Sequence, residues 1–207
     1  MRFDDFFYAA VRLFFKILFF FYHRLSVKWT EPLPENRNVI IACNHCSNLD
    51  PLLVGTAFPR RLRYFAKEEL FRPFFFGKLI RILGAVPVSR DNNAAAAGAL
   101  KGLLKFLKEG VDILIFPEGA RSADGKLLPL EGGVGLVACR SQAPVLPAFI
   151  KGAHEAMPLG SAMVKPVKIS VTFGKMIAFD SEFYKEKGAR EKITTALTDA
   201  LKALESA

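Results

Sequence analysis

The sequence predicts an α/β protein in which a mixed, largely parallel β-sheet is flanked by helices. Six short apolar runs have the length and β-branched content of buried strands. In chain order they are NVIIAC, LRYFA, GAVPVS, DILIFP, APVLPAFI and VKISVTFG. Helix-like stretches separate several of these runs, and strands that alternate with helices are typical of layered α/β folds. A length of 207 residues suits one compact domain with an appendage.

The appendage is predicted to be residues 1–30, an amphipathic membrane-associating helical segment, and residues 31–207 are predicted to form the α/β domain. The segment from 6 to 22 is apolar except for Arg12 and Lys16, and a run of about 17 residues is at the lower limit for spanning a membrane. It also lacks a small-residue cleavage site, so we do not expect a signal peptide.

A helical wheel divides the N-terminal helix into two faces. Asp5, Arg12, Lys16 and His23 fall within an arc of about 40° when the chain turns by about 100° per residue, and a broad Phe- and Leu-rich face lies opposite. This pattern predicts a helix that lies in the membrane interface. The alternative is a helix that packs its apolar face onto the domain core or onto a partner chain.

The remaining elements follow in order along the domain. Pro and polar residues in TEPLPENRN indicate a linker that ends near Asn38. Four later stretches are predicted helices, at 68–83, at 91–110 with an Asp start and a Gly stop, at 133–139 and at 187–206.

The amino-acid composition indicates which classes of partner and which compartment to expect. Lys and Arg exceed Asp and Glu by 9 (29 against 20), and the basic residues alternate with Phe and Leu rather than forming a block. This mixture favours an anionic membrane over nucleic acid, and we expect a monotopic protein on the cytoplasmic face of the cell membrane. Three cysteines cannot form a complete disulfide framework, which is consistent with a reducing compartment.

The stretch IACNHCSNLD contains two overlapping candidate sites. Cys43 and Cys46 form a Cys-x-x-Cys pair that could be a redox or metal site, whereas His45 and Asp50 could form an acid–base pair. If a strand ends at Cys43 and a helix begins at Asp50 and Pro51, the chain doubles back between them. Asp50 could then accept the Nδ1 proton of His45 and leave Nε2 as a base. Alternatively, Asp50 is only a helix N-cap.

Two further loops follow predicted strands and offer polar groups. ILIFPEGARS places Glu118, Gly119 and Arg121 after a strand, where Arg121 could grip a phosphate and Gly119 allows a close backbone approach. GAVPVSR places Arg90 at another strand end. Because reactive groups in open α/β sheets lie past the carboxyl ends of strands, these loops could converge with His45. A structural ion pair in the first loop and a merely exposed charge at Arg90 are the competing interpretations.

Four blocks in this order resemble the glycerolipid acyltransferase family. NHCSNLD is similar to its Asn-His-x4-Asp signature, GAVPVSR to its Gly-to-Arg block, FPEGARS to its Phe-Pro-Glu-Gly-Thr-Arg-Ser block, and VLPAFI to its last Pro-containing strand. The resemblance covers residues 38 to about 150. It implies acyl transfer from acyl-CoA or acyl-carrier protein to 1-acyl-sn-glycerol-3-phosphate, which makes phosphatidic acid in phospholipid biosynthesis, with neither a metal nor a further cofactor.

The resemblance also implies a role for each matched residue. His45 would be the general base and Asp50 its orienting partner. The acceptor would be bound by residues of the second and third blocks, which are Arg90, Glu118, Gly119, Arg121 and Ser122. Pro147 would shape the site.

The sequence departs from the family pattern at two places. Ala120 replaces the Thr of the third block, and Leu130, Glu131 and Gly132 stand where relatives often carry a Phe-Lys pair. If that Lys helps to hold the acceptor phosphate, its replacement opens the way to another lysolipid. An enzyme that uses Cys46 as its nucleophile and a membrane-surface lipid-binding protein without turnover are two competing hypotheses.

Overall fold

The computed structural model describes residues 3–89 and 93–207, and within them one seven-stranded sheet lies between two layers of helices. The strands are β1 (Ser26–Trp29), β2 (Ile40–Cys43), β3 (Leu62–Lys67), β4 (Ala85–Val88), β5 (Asp112–Ile115), β6 (Val145–Lys151) and β7 (Ser170–Phe173). Their order across the sheet is β1-β7-β6-β2-β5-β3-β4.

Five neighbouring strands are parallel, and two reverse the direction. β6, β2, β5, β3 and β4 run the same way, whereas β7 is antiparallel to β6 and parallel to β1. The prediction of a mixed, largely parallel sheet is therefore confirmed. The edge at which the five parallel strands end is called the carboxyl edge below. β7 and β1 begin at this same edge, since Ser170 pairs with Lys151 and Ser26 pairs with Ser170.

The helices cover the two faces of the sheet. They are α1 (Phe3–His23), α2 (Asp50–Ala57), α3 (Phe74–Ile82), α4 (Asn93–Lys108), α5 (Gly133–Ser141), the short α6 (Ala153–Ala156) and α7 (Ala189–Ser206), with 3-10 turns at Glu68–Phe71 and Phe183–Lys185. Helices α1, α2 and α3 pack into one apolar core, and α4, α5 and α7 pack into the other. Apolar side chains from alternate positions of the central strands fill both cores.

Several elements differ from the sequence prediction, and among them the short α6 and the 3-10 turn at Phe183–Lys185 were not predicted. β1 was not predicted, because only four residues of the predicted appendage form it and all four are at least partly exposed. The helix predicted over 68–83 is interrupted at Pro73, which lacks an N–H and disfavours helical backbone in the residue before it. A 3-10 turn therefore precedes the break, and α3 begins after it.

Helix α1 is held to the domain by its polar side. The guanidinium of Arg12 donates to the backbone carbonyls of Thr56, Phe58 and Pro59, where α2 ends. At the other end of α1, His23 is buried and its Nδ1–H donates to the Val167 carbonyl at 3.0 Å. Arg12 and His23 belong to the polar arc identified in the sequence, and they face the domain together with Phe15 and Phe19, whereas Lys16 of the same arc is exposed.

The apolar face of α1 consequently points away from the domain. Nine of its large apolar side chains are exposed, which are Phe6, Phe7, Leu13, Phe14, Ile17, Leu18, Phe20, Phe21 and Tyr22. The competing prediction, that this face packs on the chain's own core, does not match the described helix. The stretch Phe6–His23 is long and apolar enough, by length and composition, to cross a membrane, and 11% of it is buried in the protein.

An ion pair lies at the opposite edge of the sheet from the carboxyl edge. Arg60 and Asp112 approach to 2.8 Å, and Asp112 also accepts the N–H of Val39 at 2.8 Å. Burial raises the pKa of the Asp112 carboxyl, and the N–H of Val39 and the charge of Arg60 oppose that rise. Arg60 further donates to the Pro34 carbonyl, so this group ties the start of β5 to the chain before β2.

Candidate active site

His45 and Asp50 lie together at the carboxyl edge, just after β2. The distance between His45 Nδ1 and Asp50 Oδ2 is 2.8 Å. The same oxygen accepts the backbone N–H groups of Cys46 at 2.7 Å and Ser47 at 2.8 Å. The chain thus doubles back between β2 and α2, as the sequence predicted, and the fully buried Asp50 carboxylate organises the turn.

The hydrogen bonds to Asp50 decide which ring nitrogen of His45 carries the proton. Asp50 Oδ2 already accepts from two backbone N–H groups, so it acts as an acceptor and His45 Nδ1 must donate to it. Nε2 is then the nitrogen with a free lone pair. The ring is 18% exposed and stacks on Phe116, with centroids 3.9 Å apart. Its tautomer and its orientation are therefore both fixed.

Asp50 is not the N-cap of α2. It is the first residue of that helix, the N-cap residue is Leu49, and no side chain caps the helix there. Pro51 in the first turn helps the helix to begin at this point. The interpretation in which Asp50 serves only as a cap is therefore wrong, because its side chain binds the turn that contains His45.

Glu118 lies beside His45 and binds backbone atoms with both of its oxygens. Oε1 accepts the N–H of His45 at 2.6 Å, and Oε2 accepts the N–H of Leu128 at 2.8 Å. The side chain is buried. Burial raises the pKa of the Glu118 carboxyl, the two backbone N–H groups lower it, and the charge of Asp50 raises it further.

The loop after β5, which carries Glu118, also binds the backbone carbonyl of His45. The backbone N–H of Ser122 donates to the His45 carbonyl at 2.8 Å, and the buried Ser122 hydroxyl donates to Asp124 at 3.0 Å. Gly119 has φ +68°, a left-handed conformation that favours glycine, and a Cβ at this position would meet the carboxylate of Glu131. The conformation of this loop is thus specified around His45.

Arg121 is half-buried on this loop. Its guanidinium donates to the side-chain oxygen of Asn48 at 2.6 Å, and no carboxylate within the described ranges forms an ion pair with it. The remaining N–H groups of this guanidinium, on the loop that also binds the His45 carbonyl, can bind an anion. Arg90, the remaining predicted site residue, lies outside the described residues.

Three site residues were not singled out from the sequence. Phe116 stacks on His45, Asn48 binds Arg121, and Asn44 clamps the end of β2 to β6 by donating to the Ile150 carbonyl at 3.1 Å and accepting its N–H at 2.7 Å. Asn44 stands next to His45 in the first block and Phe116 stands within the third. These positions within the sequence blocks could have indicated that both residues belong to the site.

The cysteines next to His45 are buried. Burial raises the pKa of both the Cys43 and the Cys46 thiol, and the carboxylates of Asp50 and Glu118 raise them further. Such thiols stay protonated, unlike reactive cysteines. Among residues 3–89 and 93–207, no three His, Cys, Asp or Glu side chains are grouped so that they could hold a metal ion.

Comparisons with known proteins identify relatives over most of the chain. The profile of the Acyltransferase family matches residues 24–151, which include the described site residues named above. The 1-acyl-sn-glycerol-3-phosphate acyltransferase of Bacillus subtilis (strain 168) is 30% identical over 178 residues, which is 85% of either chain. The protein of the same name from Cocos nucifera is 32% identical over 147 residues, which is 70% of this chain but 48% of the coconut protein. This chain thus spans about half the length of that plant relative.

A solved structure has the same fold. The crystal structure of the 1-acyl-sn-glycerophosphate (LPA) acyltransferase from Thermotoga maritima superposes with a TM-score of 0.71 at 27% identity. The match covers 95% of this chain and 80% of the other. The α/β sheet, its flanking helices and the N-terminal apolar helix are therefore a shared architecture.

Proposed function

The chain belongs to the acyltransferase family, and from that premise we propose that it transfers a fatty acyl group from acyl-CoA or acyl-carrier protein to the free hydroxyl of 1-acyl-sn-glycerol-3-phosphate. The product would be phosphatidic acid. The observation that supports this best is the pair of His45 and Asp50, 2.8 Å apart, in a turn whose buried carboxylate sets the tautomer. Two relatives, 32% and 30% identical to this chain, carry the name of that activity.

The reaction follows from the free lone pair on His45 Nε2. As the acceptor hydroxyl oxygen attacks the thioester carbonyl carbon, Nε2 takes the hydroxyl proton and the new ester C–O bond forms. The C–S bond then breaks, and the departing thiolate receives the proton from His45. General-base assistance of this kind contributes about 10²–10⁴-fold, and the positioning of both substrates contributes much of the remainder.

Arg121 is the group best placed to bind the acceptor phosphate. It lies on the loop that also holds His45, and Asn48 occupies one of its donors and orients the guanidinium. The planar fork of arginine matches phosphate oxygens. We assign Arg90 and the Gly119 backbone to the same acceptor site on the strength of the sequence blocks.

Membrane association follows from helix α1. Its apolar face points outward, and Arg12 and His23 bind backbone carbonyls of the domain. This attachment supports a helix that lies in the membrane interface beside the domain, with its exposed Phe side chains among lipid tails. The excess of basic residues favours the anionic cytoplasmic face.

A second candidate is transfer to another lysolipid. The carboxylate of Glu131 lies against Gly119 in the loop assigned to the acceptor, and a carboxylate disfavours a nearby dianionic phosphate. An acceptor whose headgroup carries less negative charge would avoid this repulsion. In this case His45 and Asp50 keep their roles.

The test is acyl transfer by the purified protein in anionic vesicles. Acyl-CoA and acyl-carrier protein are offered with a panel of lysolipids, and His45→Ala serves as the control. Transfer to 1-acyl-sn-glycerol-3-phosphate that disappears in His45→Ala supports the proposal. Transfer only to other lysolipids favours the second candidate, and activity that survives in His45→Ala contradicts both.

A further inference from the structure

The carboxyl edge has exposed apolar side chains on both sides of His45. On one side, after β3, they come from the 3-10 turn and the start of α3; on the other side, they come from the connection between α6 and β7. They are Leu70, Phe74, Phe75, Phe76, Leu159 and Met163, and this set is called the apolar rim below. Phe75 is 86% exposed and Met163 is 69% exposed, which is unusual for such large side chains in a protein surrounded by water.

The strand order places the two halves of the rim on either side of the candidate active site. His45 follows β2, at the centre of the sheet. β6 is the neighbour of β2 on one side, and β5 and then β3 lie on the other. Since these strands are parallel, the segments that follow them all leave the sheet at the carboxyl edge. The rim therefore borders the edge at which His45 lies.

Both halves of the rim are held in place. Gly77 of α3 packs so closely on the backbone of Phe71 that a Cβ would collide with its carbonyl, and Arg81 lies over the Phe71 ring at 4.6 Å. On the other side, the Tyr22 hydroxyl of α1 donates to the Val164 carbonyl at 2.8 Å, next to Met163. The rim is thus continuous with α1 there, and α1 also contacts α3.

The charges around the half of the rim formed by the 3-10 turn and α3 are predominantly positive. Between residues 67 and 81, the cations are Lys67, Arg72, Lys78 and Arg81, and the anions are Glu68 and Glu69. All six are exposed, and no ion pair between them occurs in the described part of the chain. Phe side chains bordered by such cations match a surface that is apolar inside and anionic outside, which is an anionic lipid bilayer.

We propose that the apolar rim seats the carboxyl edge on an anionic bilayer, as a second membrane contact besides α1. The acceptor would then reach His45 directly from the lipid phase, with its acyl chain still among lipid tails and its headgroup near Arg121. This proposal rests on the proposed function for the identity of the acceptor. The contact with lipid can be measured without any turnover.

The experiment compares a double variant, which carries both Phe74→Ser and Phe75→Ser, with the parent protein. Binding is measured by flotation with phosphatidylcholine vesicles, with and without phosphatidylglycerol. Transfer is measured with a long-chain acceptor in the same vesicles and with a short-chain acceptor below its micelle concentration. We expect the double variant to lose at least about tenfold in binding and in transfer to the vesicle acceptor, since two Phe side chains no longer enter lipid. Transfer to the short-chain acceptor should be unchanged.

Charge-reversal variants distinguish attraction of anionic lipid by the cations beside the rim from attraction by the positive charge of the whole protein. Arg72→Glu with Lys78→Glu should abolish the preference for phosphatidylglycerol vesicles. Lys101→Glu with Lys202→Glu, the same change on α4 and α7 in the other helical layer, should preserve it.

Three results would overturn the proposal. One is unchanged vesicle binding in the Phe double variant, and another is an equal loss of transfer to both acceptors. The third is a parent dimer in vesicle-free buffer that the Phe double variant converts to a monomer, because a second copy of the chain would then cover the rim. A parent protein without transferase activity would contradict the proposed function, and flotation would still test the rim.

Discussion

Glu118 accepts the backbone N–H of His45 at 2.6 Å with one oxygen and the backbone N–H of Leu128 at 2.8 Å with the other. Both oxygens of a buried carboxylate are thus bound to the main chain. The resemblance to the family implies that Glu118 binds the acceptor, and that role stays a prediction. The geometry favours a positioning role, in which Glu118 holds the turn that contains His45.

Glu118→Gln should lower kcat and leave the acceptor KM nearly unchanged. The glutamine NH2 group cannot accept a hydrogen bond, so the N–H of His45 or of Leu128 loses its partner at a cost of about 1–3 kcal/mol. The matched control is Glu205→Gln, which alters a carboxylate that binds the adjacent backbone N–H of Leu127 and should keep its activity. A raised KM with an unchanged kcat would instead make Glu118 an acceptor ligand.

Asp50→Asn should reduce kcat by about 10²–10⁴-fold, the range of general-base assistance. The asparagine oxygen cannot accept from His45 Nδ1 and from two backbone N–H groups equally well, and the new NH2 group favours the opposite tautomer of His45. Kinetics are measured for Asp50→Asn, for His45→Ala and for the double variant that carries both changes. The comparison tests whether His45 and Asp50 act as one unit. The double variant should be no slower than His45→Ala, and additive losses would contradict a shared function.

Most of the fold could be predicted because buried strands are visible as apolar runs. All six predicted strands are present, and α2 begins at Asp50 as expected. β1 could not be predicted in this way, since its residues 26–29 are partly exposed and its pairing with β7 joins segments more than 140 positions apart. The order of the strands likewise depends on tertiary packing, which has no local signal.

The pairing of His45 with Asp50 could be predicted from the sequence, but the groups that hold this pair in place could not. His45 and Asp50 are five positions apart, so a turn was enough to bring them together. The partners of Glu118 are main-chain N–H groups at His45 and Leu128, and any residue type supplies such a group. The stacking of Phe116 on His45 also depends on how β2 and β5 lie side by side.

Arg121→Ala should raise the acceptor KM by about 10- to 100-fold, since a hydrogen bond to a charged group contributes about 1.5–3 kcal/mol. kcat at saturating acceptor should change much less. Arg121→Lys keeps the charge but loses the planar fork, so it should recover only part of the affinity. The measurement varies the mole fraction of acceptor in vesicles, and a fall in kcat alone would argue against phosphate binding.

Cys46→Ala should retain transfer within about a factor of three, a change of about 0.7 kcal/mol in transition-state free energy. The thiol is 3% exposed, and burial followed by nearby carboxylates raises its pKa, so it is a poor nucleophile. Transfer assays and mass spectrometry during turnover check this expectation. An acyl group trapped on Cys46, together with loss of activity in Cys46→Ala, would establish the cysteine mechanism in place of the histidine one.

Arg60→Ala should destabilise the fold by about 3 kcal/mol at neutral pH, because it leaves the buried Asp112 charge without its partner. Burial already raises the pKa of Asp112 in the folded protein, and removal of Arg60 raises it further. The folded variant then holds a proton at pH values at which the unfolded chain has lost it, so its stability falls as the pH rises through this range.

The difference in unfolding free energy between parent and Arg60→Ala should therefore narrow as the pH falls from 7 toward the ordinary aspartate range of about 4. Urea unfolding across this range measures it. The control repeats the Arg60→Ala change in an Asp112→Asn background, where no carboxyl titrates at position 112, so the difference between Asp112→Asn and the double variant should not depend on pH over this range. A constant difference in the single variant would show that Arg60 stabilises the protein through the Pro34 and Arg37 carbonyls and not through Asp112.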